Sequence, residues 1–100
     1  GLARVSVSND ISENSTVVEV VTQDRVGLLH DITAVLRDFA LDLIVARIAT
    51  RHDMVSDTFY VVDQRGRKLP ARRVQALQGR LEEALITPEE RTAAAERASV

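Results

Sequence analysis

One hundred residues, 45% of them hydrophobic, suffice for one domain with a real core, and 28% charged residues make an ordinary soluble surface. The net charge of −2 argues against a nucleic-acid surface, and the absence of cysteine removes disulfides, thiol catalysis, zinc ribbons and iron–sulfur ligation together. No apolar run approaches the ~20 residues a membrane helix needs, and the N-terminus lacks a signal-peptide pattern, so the expected location is cytoplasmic. Gly1 is not a natural start, which points to a piece of a longer protein. Lys68 is the only lysine, and the excess of arginine reads as coding bias more than function.

Along the chain, Ala3, Val5 and Val7 alternate with Arg4, Ser6 and Ser8, which predicts a strand with one wet face. The polar stretch from Asn9 to Ser15 is a loop, short enough to favour an antiparallel hairpin. Thr16 to Thr22 is rich in β-branched residues and predicts a second strand. Leu28, Leu29, Ile32, Val35, Leu36 and Phe39 then share one face of a helix. Asp24 is the expected N-cap, with Thr22 as its competitor, and the helix should end near Phe39 and Ala40.

Leu41 to Arg51 crowds apolar residues on both faces, Leu41, Leu43 and Val45 against Ile44, Ala46 and Ile48. Such a strand should be covered on both sides, by helices or by a partner. His52 and Asp53 form the expected turn into a strand from Met54 to Val62, with Phe59 and Val61 on its buried face. Asp57 falls on that same face, which the alternation does not explain. Asp63 to Gly66 reads as a turn.

Pro70 suits the first turn of the next helix, where Val74, Leu77, Leu81 and Leu85 share a face. Thr87, Pro88 and Glu90 form a capping-box signature. Beyond them the alanine-rich end is either a frayed helix or a disordered tail. The expected division is a folded domain over residues 1–86 and a tail over 87–100.

The order strand, strand, helix, strand, strand, helix predicts an α+β, ferredoxin-like sandwich. Its four-stranded antiparallel sheet should carry two helices on one face, with the leading strand in an edge position.

The segment Asp24, Arg25, Val26, Gly27, Leu28 and Leu29 is the one candidate binding corner. A short strand-to-helix loop brings backbone N–H groups close to whatever docks there. Gly27 has no Cβ to hold a ligand off, and a helix N-terminus favours an anionic group such as a carboxylate. Helix–sheet packing is the competing reason for Gly27, and capping the competing reason for Asp24. Arg25 could hold a carboxylate, although an exposed arginine usually just solvates.

The two histidines, His30 and His52, lack the spaced partners of a metal site or a general base, and no carboxylate pair suggests acid–base chemistry. Arg65, Arg67, Lys68, Arg72 and Arg73 form one basic cluster, read as a solvated face or a docking patch for an acidic region. No cofactor is expected.

Ser6 to Asp10, Thr16 to Val20, Asp24 to Leu29, Ala46 to Thr50 and Asp57 to Val61 together resemble an ACT domain. The likeness is strongest to the C-terminal ACT domains of bacterial PII uridylyltransferase/uridylyl-removing enzymes and runs over roughly residues 3–86. It implies a regulatory module that binds an amino acid, glutamine first. The ligand would sit beside the Gly27 loop, at the interface between paired ACT domains in a homodimer or an intramolecular pair. It also implies catalytic domains elsewhere in a parent nucleotidyltransferase of nitrogen regulation, so that this chain itself is not an enzyme.

Two positions depart from the family pattern. Val26 stands where proline is usual, so the loop loses a fixed φ and gains an N–H donor. His52 stands where a glycine often precedes the last matched strand. A dimerisation or interdomain packing module without a small ligand is the alternative. A nucleic-acid binder is disfavoured, because 3% aromatic residues leave no stacking platform.

Overall fold

The computed structural model describes residues 3–99. Its elements in chain order are β1 (Arg4–Ser8), β2 (Thr16–Gln23), α1 (Leu28–Asp38), β3 (Asp42–Arg51), β4 (Met54–Val62), α2 (Ala71–Ala84) and α3 (Pro88–Ala98). The four strands form one antiparallel sheet in the order β1-β2-β4-β3. The leading strand occupies the edge beside β2, as the sequence predicts. This is the ferredoxin-like, ACT-type arrangement.

The core explains why these segments fold as they do. Register places Val7 opposite Val18, and Val18 opposite Phe59, so alternate residues of β1, β2 and β4 face one way. Against that face α1 packs Leu28, Ile32, Val35 and Leu36, and α2 packs Leu77 and Leu81, with Leu85 at its C-cap. Phe59, at 1% exposure, is the largest fully buried side chain. Thr16 is buried too, and its hydroxyl is fully engaged. Oγ1 donates to Asn9 Oδ1 at 2.6 Å and accepts the Leu69 N–H at 2.9 Å. Asn9 Nδ2 in turn donates to the Leu69 carbonyl at 2.8 Å. That network ties the β1–β2 loop to the segment leading into α2.

Three expectations need correction. The first concerns the start of α1. Its N-cap is Gly27, at φ 82°, and not Asp24, because the loop runs on for three more residues. The Asp24 N–H instead donates to the Asp53 carbonyl at 2.7 Å, fastening the loop to the β3–β4 turn. The second concerns Pro70, which is the N-cap of α2 and lies one residue before the helix.

The third correction concerns β3. It begins at Asp42, so Leu41 lies outside it, and it is the sheet's second edge, with all ten residues exposed in the single chain. No helix covers it. A bulge between Leu43 and Val45 also breaks the simple alternation of its two faces. At the tail, the described residues 88–98 form a helix, one of the two alternatives the sequence leaves open. Its capping box is complete, the Thr87 hydroxyl accepting from the Glu90 N–H at 3.1 Å, and none of its residues is buried.

Among the described residues, two non-glycine residues hold positive φ. Ala40, at φ 55°, follows α1. Its N–H donates to the Arg37 carbonyl, and the Leu41 N–H donates to the Leu36 carbonyl, which is a Schellman ending. His52, at φ 57°, is the first residue of the two-residue β3–β4 turn, a position that favours glycine.

Candidate functional site

Between the start of α1 and the strand pair β3–β4 lies a cavity of about 470 Å³, within the usual range for small-molecule sites. Asp24, Arg25, Gly27, Leu28 and Leu29 all line it. Val26, the sixth residue of the candidate corner, does not; it projects from the loop at 99% exposure. The positive φ of Gly27 turns the chain from loop to helix, and its carbonyl accepts the Asp31 N–H at 2.9 Å. A Cβ there would have open space, the nearest group being the Arg25 guanidinium at 3.9 Å, so backbone conformation is what requires glycine.

Among the described residues, the N–H groups of Gly27, Leu29 and His30 have no partner within the protein. They are the free donors that a helix start presents to an anion. Arg25 is already engaged. Its Nη2 lies 2.7 Å from Asp31 Oδ2, and its Nη1 donates to the Val26 carbonyl at 3.2 Å. This pairing holds the Asp31 carboxyl below its ordinary value, mainly through the Arg25 hydrogen bond. Arg25 therefore shapes the loop more than it offers a free fork for a carboxylate.

The other wall is absent from the sequence-based site. Ile48 and Thr50 of β3 and Val55 and Asp57 of β4 complete the lining, with His30 beside Leu29 on α1. The four strand residues meet only through strand pairing, Ile48 opposite Asp57 and Thr50 opposite Val55. Asp57 is the one with a visible sequence signal, a carboxylate on the buried face of a strand. It is 1% exposed, and its Oδ1 has no hydrogen-bond partner. Burial pushes the Asp57 carboxyl up, the nearby Asp24 carboxylate adds to the rise, and the Ala49 N–H opposes it.

His30 and His52 do not come together with acidic groups as a metal site; among the described residues no cluster of three or more ligating side chains exists. The basic cluster is partly spent within the fold. Lys68 Nζ donates to the Asn9 carbonyl at 2.7 Å, and the Arg73 guanidinium lies 5.7 Å from the Phe39 ring centre. No helix among the described residues is long and apolar enough to cross a membrane.

Comparison with known proteins agrees with the fold. A crystal structure described as an unknown protein from Galdieria sulphuraria is similar, at 26% identity and a TM-score of 0.56. The similarity covers 69% of this chain and 37% of that one, so the chain spans well under half of that relative's length. The family described as ACR9-like, ACT-like domain matches residues 4–98. With nearly the whole chain matched, and the strand-to-helix loop and sheet order in place, the protein belongs to the ACT-like domain family.

Proposed function

We propose that the chain is an amino-acid-sensing regulatory domain whose site is the cavity beside the Gly27 loop. ACT domains are regulatory modules and not catalysts, and amino acids are their usual ligands. The observation that carries the reading is that Gly27, Leu29 and His30, whose N–H groups have no partner among the described residues, all line one cavity. A ligand carboxylate would dock on these donors around Val26 to Leu29, aided by the helix dipole. Asp24, or a group from a partner domain, would take the amine.

Glutamine is the first candidate ligand, and the parent a cytoplasmic PII uridylyltransferase/uridylyl-removing enzyme of nitrogen regulation, by the resemblance of the motifs. Binding would favour one packing of paired ACT domains and so bias the attached catalytic domains.

Calorimetric titration with glutamine, glutamate and other amino acids tests this, using Gly27→Val and Leu29→Asp. The first strains the loop, whereas the second keeps the helix start sound but sets a negative charge among the donors. Saturable binding lost in both supports the site; binding unchanged in both removes it.

A second reading, a packing module without a small ligand, is favoured by the β3 edge. There Leu43, Ile44, Val45 and Ile48 are 42–58% exposed, and the unpaired strand offers a template for another chain. Another ACT domain would be the partner. Strong self-association with no amino-acid binding in either form supports that reading.

A further inference from the structure

We infer that Asp57 is the seat of a ligand's ammonium group, so that the cavity selects zwitterionic amino acids over carboxylic acids that lack the amine. This rests on the reading of the cavity as an amino-acid site and adds the residue that recognises the amine.

Asp57 is 1% exposed, stands on the core-facing side of β4, and pairs in register with Val20 on one side and Ile48 on the other. Its Oδ1 is buried without a hydrogen-bond partner. A buried acceptor left unpaired costs the fold stability, and such atoms are rare in native proteins. Packing does not explain a carboxyl at a position where the neighbouring inward residues, Val55 and Phe59, are apolar.

Position supplies the second half. Asp57, on β4, lines the same cavity as Gly27, Leu29 and His30 at the start of α1. The helix start thus offers N–H groups suited to a carboxylate, and β4 offers a carboxyl suited to an ammonium. That separation of charge is the pattern of a zwitterion.

Asp24 is the other carboxylate on the lining, but it is exposed, and water and salt screen an exposed charge. A cation beside Asp57 is screened far less and also gives Oδ1 the hydrogen bond it lacks. The raised carboxyl at Asp57 agrees with this, since a group held towards its neutral form is the one a bound cation would ionise. The remaining charged or titratable groups on the lining are Arg25, committed to Asp31, and His30.

The test pairs the standard amino acids, glutamine first, with two analogues of glutamine. One lacks the α-amine (4-carbamoylbutanoate) and the other lacks the α-carboxylate (4-aminobutanamide). Each is titrated into the wild-type chain and into Asp57→Asn, with folding checked by circular dichroism. The expected result is amino-acid binding that falls at least about tenfold in Asp57→Asn, with the deaminated analogue binding weakly and equally to both proteins.

If amino acids bind, the variant binds them as well as wild type, and the deaminated acid competes equally, the inference is overturned while the amino-acid site stands. If no amino acid binds but 4-aminobutanamide binds and is lost in Asp57→Asn, Asp57 holds the amine and the amino-acid reading falls. If nothing binds the folded wild-type chain, both are overturned.

Discussion

Arg25 Nη2 lies 2.7 Å from Asp31 Oδ2, so the loop before α1 is clamped to the first turn of the helix it introduces. Both side chains are partly exposed, which limits what the pair adds to stability.

The Asp31 carboxyl is lowered, chiefly by the Arg25 hydrogen bond. A lowered acid contributes stability above its unfolded value and loses that contribution as pH falls through its folded value. Asp31→Asn should therefore cost about 0.5 kcal/mol at neutral pH after solvent screening. Urea melts across the acid range check this, and the difference from wild type should close as both proteins become protonated.

Asp57 has the opposite sign. Burial raises it, so the folded state holds the proton more tightly and stability falls as pH rises from the unfolded value towards the folded one. Asp57→Asn removes that loss. It should be more stable than wild type at neutral pH by about 1 kcal/mol, with the gain shrinking in acid. Urea denaturation at neutral and acid pH decides it. A variant less stable at neutral pH would mean the carboxylate already has a partner in the fold.

Ala40 occupies a left-handed position, φ 55°, that glycine usually fills in a Schellman ending. Ala40→Gly should stabilise the chain by about 0.5–1 kcal/mol, because relief of the Cβ strain outweighs the added freedom of the unfolded chain. A rise in the thermal midpoint is the readout.

Thr16 is buried and accepts the Leu69 N–H at 2.9 Å. Thr16→Val keeps the shape but leaves that N–H and the Asn9 side chain short of a partner, at a cost of about 1–3 kcal/mol. Equilibrium denaturation measures it, and amide exchange at Leu69 should quicken with it.

Much of the fold is legible in local pattern. The alternation of Val5 and Val7 and the spacing of Leu77, Leu81 and Leu85 each declare one element and its buried face, and the β-branched run from Thr16 declares a strand. The α3 cap was equally plain, because Thr87, Pro88 and Glu90 act within one turn. The true start of α1 was not. Asp24 has the chemistry of a cap, yet its N–H is drawn to Asp53, a contact made only when the hairpin folds.

The bulge at β3 is equally silent in an alternating pattern, and nothing in a doubly apolar strand distinguishes a central position from an edge waiting for a partner. Five of the lining residues, Asp24, Arg25, Gly27, Leu28 and Leu29, come from one short stretch of sequence. Ile48, Thr50 and Asp57 belong to the cavity by register alone.

The most direct test of the amino-acid site is amide mapping by NMR on the ¹⁵N-labelled chain as glutamine and then other amino acids are added. The account predicts saturable shifts concentrated at Gly27, Leu29 and His30 on one wall and at Thr50 and Asp57 on the other. Shifts confined elsewhere, or none with any amino acid in a folded sample, would contradict it.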